Sequence, residues 1–203
     1  MYKPLSKQHD AESIIRSWYQ HKAGNCTSIG AIKAAQLVFG ARPIVEVVSS
    51  SDANQQIRLR DGTELTVTAG EFEVARRLSM FGGQPSELFD NACSLFAIMA
   101  KNAQLRENDG REAMTFGEAI ESLNDGEDIR EGPAWLGLRK LVIYGPSRFL
   151  GVRAFVADQD AAICWSPRHT WFASRHLHDD YGLVSRPRMS LKGAIALDKA
   201  RIE

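Results

Sequence analysis

The succession of hydrophobic patterns along the chain is what most constrains its fold, because the pattern changes near residue 132. Before that point most apolar residues recur at helical spacing, and after it they fall in short runs rich in β-branched and aromatic residues. Helices followed by strands are typical of α+β folds with a largely antiparallel sheet. We therefore predict an α+β fold of one domain, residues 1–203, with a mainly helical subdomain over 1–132 and a β-rich one over 133–203.

Local signals place the individual elements. Helices are predicted over 11–20, 26–39, 68–81, from 86 to about 103, and 115–124, and strands over 44–48, 57–60, 63–67, 141–144, 152–156, 161–165 and 169–173. The helix starts rest on N-cap residues, namely Asp10, Ser86 and the capping boxes Thr68–Glu71 and Thr115–Glu118. Asp61-Gly62 lies between two alternating runs and predicts a hairpin with a two-residue turn.

Cys26 is the residue that points to a chemical function. The polar, glycine-bearing segment 20–25 leads directly into an apolar helical segment that ends at Gly40, so Cys26 falls in the first turn of a helix. The free N–H groups and positive dipole at a helix N-terminus favour a thiolate, the nucleophilic form of cysteine. The alternative for Cys26 is a small buried core residue. Cys93, on an apolar helix face, and Cys164, within a strand, are expected to be core residues.

A cysteine nucleophile needs a base, and the base needs a group that orients it. His169 is the best candidate for the base, because it begins an apolar strand and lies 143 positions after Cys26 (169 − 26). The corresponding separation in papain-like enzymes is about 130–150 positions. If the next strand folds back about Ser174-Arg175, Asp179 and Asp180 come close to His169, and a slip of one residue exchanges the two aspartates.

Gln20 supplies a further element, because it precedes Cys26 by six positions (26 − 20). Its amide, with the backbone N–H of Cys26, is suited to stabilise the oxyanion that forms when a thiolate attacks a carbonyl group. Gln20, Cys26, His169 and one of the two aspartates therefore make up the predicted site. This chemistry requires neither a cofactor nor a metal ion.

The segment Gln20-(x)3-Gly24-Asn25-Cys26 resembles the Gln-Gly-x-x-Gly-Asp-Cys motif of calpain-type peptidases in the papain-like cysteine peptidase superfamily. Residues 90–101 and 115–123 look like the two helices that follow the cysteine in those enzymes, and Arg168-His169-Thr170-Trp171 stands where they have Gly-His-Ala-Tyr. The resemblance implies a papain-like fold in which the nucleophile helix packs on the C-terminal sheet. It also implies a thiol hydrolase, a cysteine peptidase or a deamidase, acting on a protein or peptide through an acyl-enzyme.

The sequence departs from the family pattern at three places. His21 replaces a glycine, Asn25 replaces the aspartate before the cysteine, and the Asn-Pro-Trp segment has no counterpart. The segment 178–182 is closer to the aspartate-bearing pattern of some bacterial effector peptidases, transglutaminases and arylamine acetyltransferases. A transglutaminase- or acyltransferase-like enzyme is therefore one alternative, and a papain-like binding protein without turnover is another.

Charge and composition limit the classes of partner and the compartment that we expect for this chain. Basic and acidic residues number 25 each, so there is no overall field that would attract nucleic acid or an anionic membrane surface. Three scattered cysteines favour a reducing compartment over a disulfide framework. Because the N-terminus has no apolar segment of the signal-peptide type, we expect a cytoplasmic protein, with export by another route as the open alternative.

Overall fold

α-Helices occupy much of the chain before residue 136, and the described residues after that point contain one more. The computed structural model describes residues 1–186 and 190–201. Its α-helices are α1 (Ala11–Ser17), α2 (Cys26–Phe39), α3 (Ala69–Leu78), α4 (Glu87–Leu105), α5 (Phe116–Asn124), α6 (Glu131–Trp135) and α7 (Phe149–Asp158). The side chains of Asp10, Thr68, Ser86 and Thr115 cap α1, α3, α4 and α5, and both predicted capping boxes are complete. The predicted helix starts are thus confirmed.

The strands of the described residues form antiparallel sheets. They are β1 (Trp18–Gln20), β2 (Glu46–Ser50), β3 (Asn54–Arg58), β4 (Glu64–Thr68), β5 (Phe81–Gly83), β6 (Val142–Tyr144), β7 (Ala162–Ser166), β8 (His169–Ser174), β9 (Leu177–Asp180), β10 (Leu183–Ser185) and β11 (Gly193–Leu197). A six-stranded sheet has the order β10-β9-β8-β7-β11-β6, a three-stranded sheet is β2-β3-β4, and β1 pairs with β5. The fold is α+β, as the pattern of the sequence predicts.

The predicted strand over 152–156 is wrong, because this run lies inside α7. Val152 and Val156 are four positions apart and are both buried against the face of the six-stranded sheet that carries Ala162, Cys164 and Ala173. A short run of β-branched and aromatic residues fits a buried strand and a buried helix equally well, and here the contact with the sheet selects the helix.

The first predicted helix is too long at its C-terminal end. Residues 18–20 leave the helix and form β1, in which Trp18 pairs with Gly83 and Gln20 with Phe81. The indole N–H of Trp18 donates a hydrogen bond to Gln36 Oε1 on α2 at 3.1 Å, and the side chain is completely buried. Tertiary contacts therefore override the helical spacing, and they bring Gln20 alongside the loop before α2.

The hairpin predicted at Asp61-Gly62 is present, but its turn differs. The β3–β4 ladder closes with Arg58 opposite Glu64, and Gly62 N–H donates to Leu59 O at 3.0 Å. Gly62 has a φ of +90° and is the last residue of the four-residue turn 59–62, not one of its two central residues. This is the three-residue type of hairpin loop, in which a glycine in the left-handed region ends the turn.

Helix α2 packs against β7 and β8 of the six-stranded sheet and against α1, α4 and α6, whereas α7 covers the opposite face of that sheet. Gly30 permits the close approach of α2, because a Cβ at this position would lie 2.9 Å from Ile163 Cγ2 on β7. The largest cluster of buried apolar side chains includes Phe96 on α4 as well as Ile163 and Phe172 on the sheet. Thr27 Oγ1, in the first turn of α2, lies 3.5 Å from Thr170 Oγ1 on β8. The packing thus brings the N-terminus of α2 to the start of β8.

Candidate active site

The loop before Cys26 is fixed by contacts with a distant segment. Gly24 N–H donates to Asn124 O at 2.7 Å, and a Cβ on Gly24 would lie 2.7 Å from the same oxygen. Asn25 is 1% exposed, and its Nδ2 donates to Ser79 O at 2.6 Å and to Asn124 Oδ1 at 2.9 Å. Glycine and asparagine at these two positions therefore hold the loop that presents Cys26.

Cys26 is the first residue of α2, as the sequence predicts. Asn25 makes no side-chain cap, and the first turn of α2 has no acidic residue, so the positive end of the helix dipole is not neutralised from within the helix. The thiol is partly exposed, and its Sγ lies 4.0 Å from Gly24 O. The sulfur therefore lies, partly exposed, at the positive end of the α2 dipole.

A small cavity, here called the Cys26 cleft, brings together residues that are far apart in the sequence. Gln20, Cys26, His169 and Asp179 all line it, and its volume is about 10 Å³, roughly the space of one water molecule. Asp180, the fifth predicted residue, is not among the described residues that line the cleft. The remaining lining residues are Ile29, Thr170, Trp171 and Tyr181.

Gln20 reaches the cleft from β1. Its Nε2 donates to Ala23 O at 2.5 Å, and its buried Oε1 has no hydrogen-bond partner among the described residues. The amide group carries a second N–H, and this is the group that can donate to an oxyanion formed on a substrate. Gln20 therefore brings an amide group to the same cleft as Cys26.

His169 begins β8 and is held by aromatic rings. Its imidazole stacks on Tyr181, with ring centroids 4.9 Å apart, and on Trp171, with centroids 6.0 Å apart. Ser166 is its cross-strand partner on β7, and Ser166 Oγ donates to His169 O at 3.2 Å. Tyr181 is 50% exposed and was not predicted, because only the fold brings its ring onto the histidine.

The predicted register of the hairpin after His169 is corrected. Ser174 pairs with Leu177, so the turn is Arg175-His176 and not Ser174-Arg175. Arg175 closes this turn with a left-handed φ of +52°. The register moves by two residues, and an even shift leaves each side chain on the face of the sheet that the prediction gave it.

Asp179 is the predicted aspartate that lines the cleft, and its carboxylate has one partner distant in the sequence and one nearby. Its Oδ2 accepts a hydrogen bond from Lys33 Nζ at 2.7 Å, and its Oδ1 accepts one from Gly182 N–H at 2.8 Å. The side chain of Asp179 is 6% exposed and that of Lys33 is 0% exposed. Asp180, the last residue of β9, is partly exposed and pairs with Leu183 on β10. The carboxylate at the cleft is thus held rigidly.

Lys33, like Tyr181, is a residue of the site region that the sequence pattern did not identify. Its Nζ also donates to Ile15 O at 3.1 Å and lies 5.0 Å from the centre of the Trp18 ring. Burial lowers the pKa of Lys33, and the ion pair with Asp179 opposes this effect. A lysine within the otherwise apolar segment 29–35 was the available signal, because a buried cation requires a partner.

The other two thiols lie in the core, as predicted. Cys93 is buried on α4, and burial raises the pKa of its thiol to about 11. Cys164 is buried on β7, and burial raises the pKa of its thiol as well. Both are therefore protonated and inaccessible near neutral pH, which leaves Cys26 as the reactive candidate.

Residues 1–186 and 190–201 lack two kinds of feature. Within this part of the chain no group of three or more histidine, cysteine, aspartate or glutamate side chains is arranged to hold a metal ion. Among the helices of the same residues, none combines the length and the apolar character needed to cross a bilayer.

Comparison of the chain with protein-family models, with curated proteins and with solved structures gave no match. The resemblance of the segment around Cys26 to papain-like enzymes stays a prediction.

Proposed function

We propose that this protein is a papain-like thiol hydrolase that attacks an amide bond, with Cys26 as nucleophile and His169 as its base. The observation that carries the proposal is that Gln20, Cys26, His169 and Asp179 line one cleft, although they come from four different elements and from both ends of the chain. A cysteine at a helix start is a weak signal alone. The signal is strengthened here because a histidine and an amide side chain line the same cavity as the cysteine.

The proposed reaction proceeds in two stages. His169 takes the thiol proton, the thiolate of Cys26 attacks the substrate carbonyl carbon, and the Cys26 N–H and the Gln20 amide stabilise the oxyanion. The protonated His169 then gives its proton to the leaving nitrogen as the C–N bond breaks, which leaves an acyl-enzyme. Water, activated by His169, releases the acid and restores the thiol. Release to an amine would make the enzyme a transferase.

In this proposal Asp179 positions the imidazole of His169. Lys33 and Gly182 already donate to its two oxygens, but each carboxylate oxygen has two lone pairs and can accept another bond. Of the two predicted aspartates, Asp179 alone is among the described residues that line the cleft, so Asp179 is favoured.

Alkylation with iodoacetamide and mapping of the label by mass spectrometry test the assignment of the nucleophile. We expect the native protein to take up label at Cys26 alone, since Cys93 and Cys164 are buried and have raised thiol pKa values. The Cys26→Ser variant should take up none until it is denatured. Comparable labelling of either core cysteine in the native protein would contradict the assignment.

Turnover is tested with a mixture of short peptides and peptide amides, analysed for cleavage and for deamidation. We expect activity that both Cys26→Ser and His169→Ala reduce by roughly 100-fold or more. The Cys26 cleft has a volume of only about 10 Å³, so the proposed reaction requires Tyr181 to move aside and admit the substrate. The rival hypothesis, a binding protein without turnover, does not require this movement. That rival predicts no product with the wild-type protein.

A further inference from the structure

A larger cavity lies beside the Cys26 cleft. It has a volume of about 440 Å³, which is within the usual range of ligand sites, about 300–1,000 Å³. We call it the acidic pocket. It is lined by Glu127, Asp128, Ile129, Arg130, Tyr144, Trp165, Ser166, Thr170 and Ile195.

The acidic pocket adjoins both proposed reacting groups. Thr170, which follows His169, lines the pocket and the Cys26 cleft alike. Thr27, which follows Cys26, donates from its Oγ1 to Glu127 O at 3.0 Å. The residue after each proposed reacting group thus lines the pocket or contacts the loop that forms it, which places the pocket next to the Cys26 cleft.

The walls of the pocket suit a cation. Glu127 and Asp128 contribute carboxylates, and Trp165 and Tyr144 contribute aromatic rings. Arg130 also lines the pocket, but its guanidinium is bound to Asp128, with Nε 2.7 Å from Oδ1. Carboxylates beside aromatic rings are the usual surroundings of bound ammonium and guanidinium groups.

Among the described residues, no basic side chain is hydrogen-bonded to Glu127. Its carboxyl group is therefore the one that a bound cation would meet. Asn108 Nδ2 donates to its Oε1 at 2.7 Å, and Glu131 at the start of α6 is hydrogen-bonded to it. Burial and the neighbouring Glu131, with Asp109 further off, raise the pKa of Glu127 to about 8. Glu127 therefore holds its proton more strongly than a free carboxyl group does, and a bound cation would favour release of that proton.

The remaining charged groups near this carboxyl lie in its own loop. Asp128 accepts from Arg130 and donates its backbone N–H to Glu131 Oε2 at 2.7 Å. The strands that complete the pocket contribute Tyr144, Trp165 and hydroxyl groups. The described lining therefore carries more acidic than basic side chains.

We propose that the acidic pocket is the specificity subsite of the enzyme and takes a lysine or arginine side chain next to the bond that Cys26 attacks. The description of the pocket as a subsite rests on the proposed function. The preference for a cation rests on the pocket alone. It names basic peptides as the substrate class.

Binding to the Cys26→Ala protein tests the pocket without any turnover. The probes are Nα-acetyl-arginine amide and Nα-acetyl-citrulline amide, which have nearly the same shape and differ in charge, with binding followed by NMR titration. We expect the arginine probe to bind at least about tenfold more tightly than the citrulline probe. Its affinity should rise by up to about tenfold per pH unit between about pH 6 and pH 8, as one proton is released. Equal affinities of the two probes, or no binding of either, would overturn the proposal.

Adding Glu127→Gln to the Cys26→Ala protein tests the role of this carboxyl. Glutamine retains an oxygen for Asn108 and an N–H for Glu131, and thermal unfolding checks that the variant is folded. We expect the pH dependence of arginine binding to disappear. Glu121→Gln, the same change at an exposed position of α5, is the matched control and should keep it. An unchanged pH dependence in Glu127→Gln would contradict the proposal. If the arginine probe binds as expected but Cys26 shows no His169-dependent reactivity, the cation pocket stands and the hydrolase proposal fails.

Discussion

Lys33 on α2 and Asp179 on β9 form a buried ion pair, with Nζ 2.7 Å from Oδ2. The pair joins the helix that presents Cys26 to the strand that follows His169, so it fixes the relative position of the two halves of the Cys26 cleft. Burying two charges is unfavourable unless they are paired, and this makes the contact sensitive to loss of either partner.

Removing the cation should therefore destabilise the fold. We expect Lys33→Met to lower the free energy of unfolding by about 3–5 kcal/mol, because Asp179 is left as an unpaired buried charge. The double variant Lys33→Met/Asp179→Asn should be more stable than the single variant, since asparagine is neutral and still accepts from Gly182 N–H. Urea denaturation measures both. A single variant within about 0.5 kcal/mol of wild type, or a double variant no better than the single, would contradict this account.

The two aspartates predicted from the sequence should separate in their effects on reactivity. We expect Asp179→Asn to slow alkylation of Cys26 and to shift the pH profile of the rate, because His169 loses the carboxylate that orients it. Asp180→Asn should have a much smaller effect, as Asp180 lies outside the described lining of the cleft. Circular dichroism establishes the fraction folded in each variant. A profile moved by Asp180→Asn and not by Asp179→Asn would transfer the role to Asp180.

Gly24 should be required for the loop that presents Cys26. A methyl group there would lie 2.7 Å from Asn124 O, so Gly24→Ala must push the loop away from its partner. We expect a loss of about 1–3 kcal/mol in stability and slower alkylation of Cys26. Gly70→Ala is the matched control, since its nearest neighbouring atom would be 4.0 Å away and alanine favours a helix. Equal effects of the two substitutions would contradict the structural role of Gly24.

The acidic pocket should make stability depend on pH. The pKa of Glu127 rises from 4.5 to about 8 in the fold, so the native state binds more protons than the unfolded state between these values. The stabilising contribution of the protonated carboxyl is complete below about pH 4.5 and is lost as the pH rises through about 8. Glu127→Gln should remove this part of the pH dependence, as measured by denaturation midpoints across the window. A constant difference between variant and wild type would show that Glu127 does not titrate in this range.

The sequence was most informative where structure depends on neighbouring residues. The caps at Asp10 and Thr68, and the position of Cys26 at a helix start, follow from contacts within a few residues. The order of helices and strands was enough to predict the α+β class. It was not enough for segment 152–156, whose valines suit both kinds of element.

Contacts between distant segments were harder to predict. Lys33 and Asp179 are 146 positions apart, and nothing local to either residue identifies the other. The shift of the hairpin turn to Arg175-His176 depends on one left-handed residue, which the sequence does not specify. The stacking of Tyr181 on His169 likewise arises only when β9 folds back along β8, and the acidic pocket arises only when the loop before α6 meets the sheet.

The most direct test of the central claim is the rate at which iodoacetamide alkylates Cys26 in the wild-type protein and in His169→Ala, across pH. His21→Ala is the matched control, because His21 is exposed and lies in the loop just before Cys26. If His169 serves Cys26 as its base, its removal will slow alkylation near neutral pH and move the rise in rate to higher pH, while His21→Ala will behave like wild type. A rate and pH profile unchanged in His169→Ala would show that the two residues share a cleft without sharing a reaction.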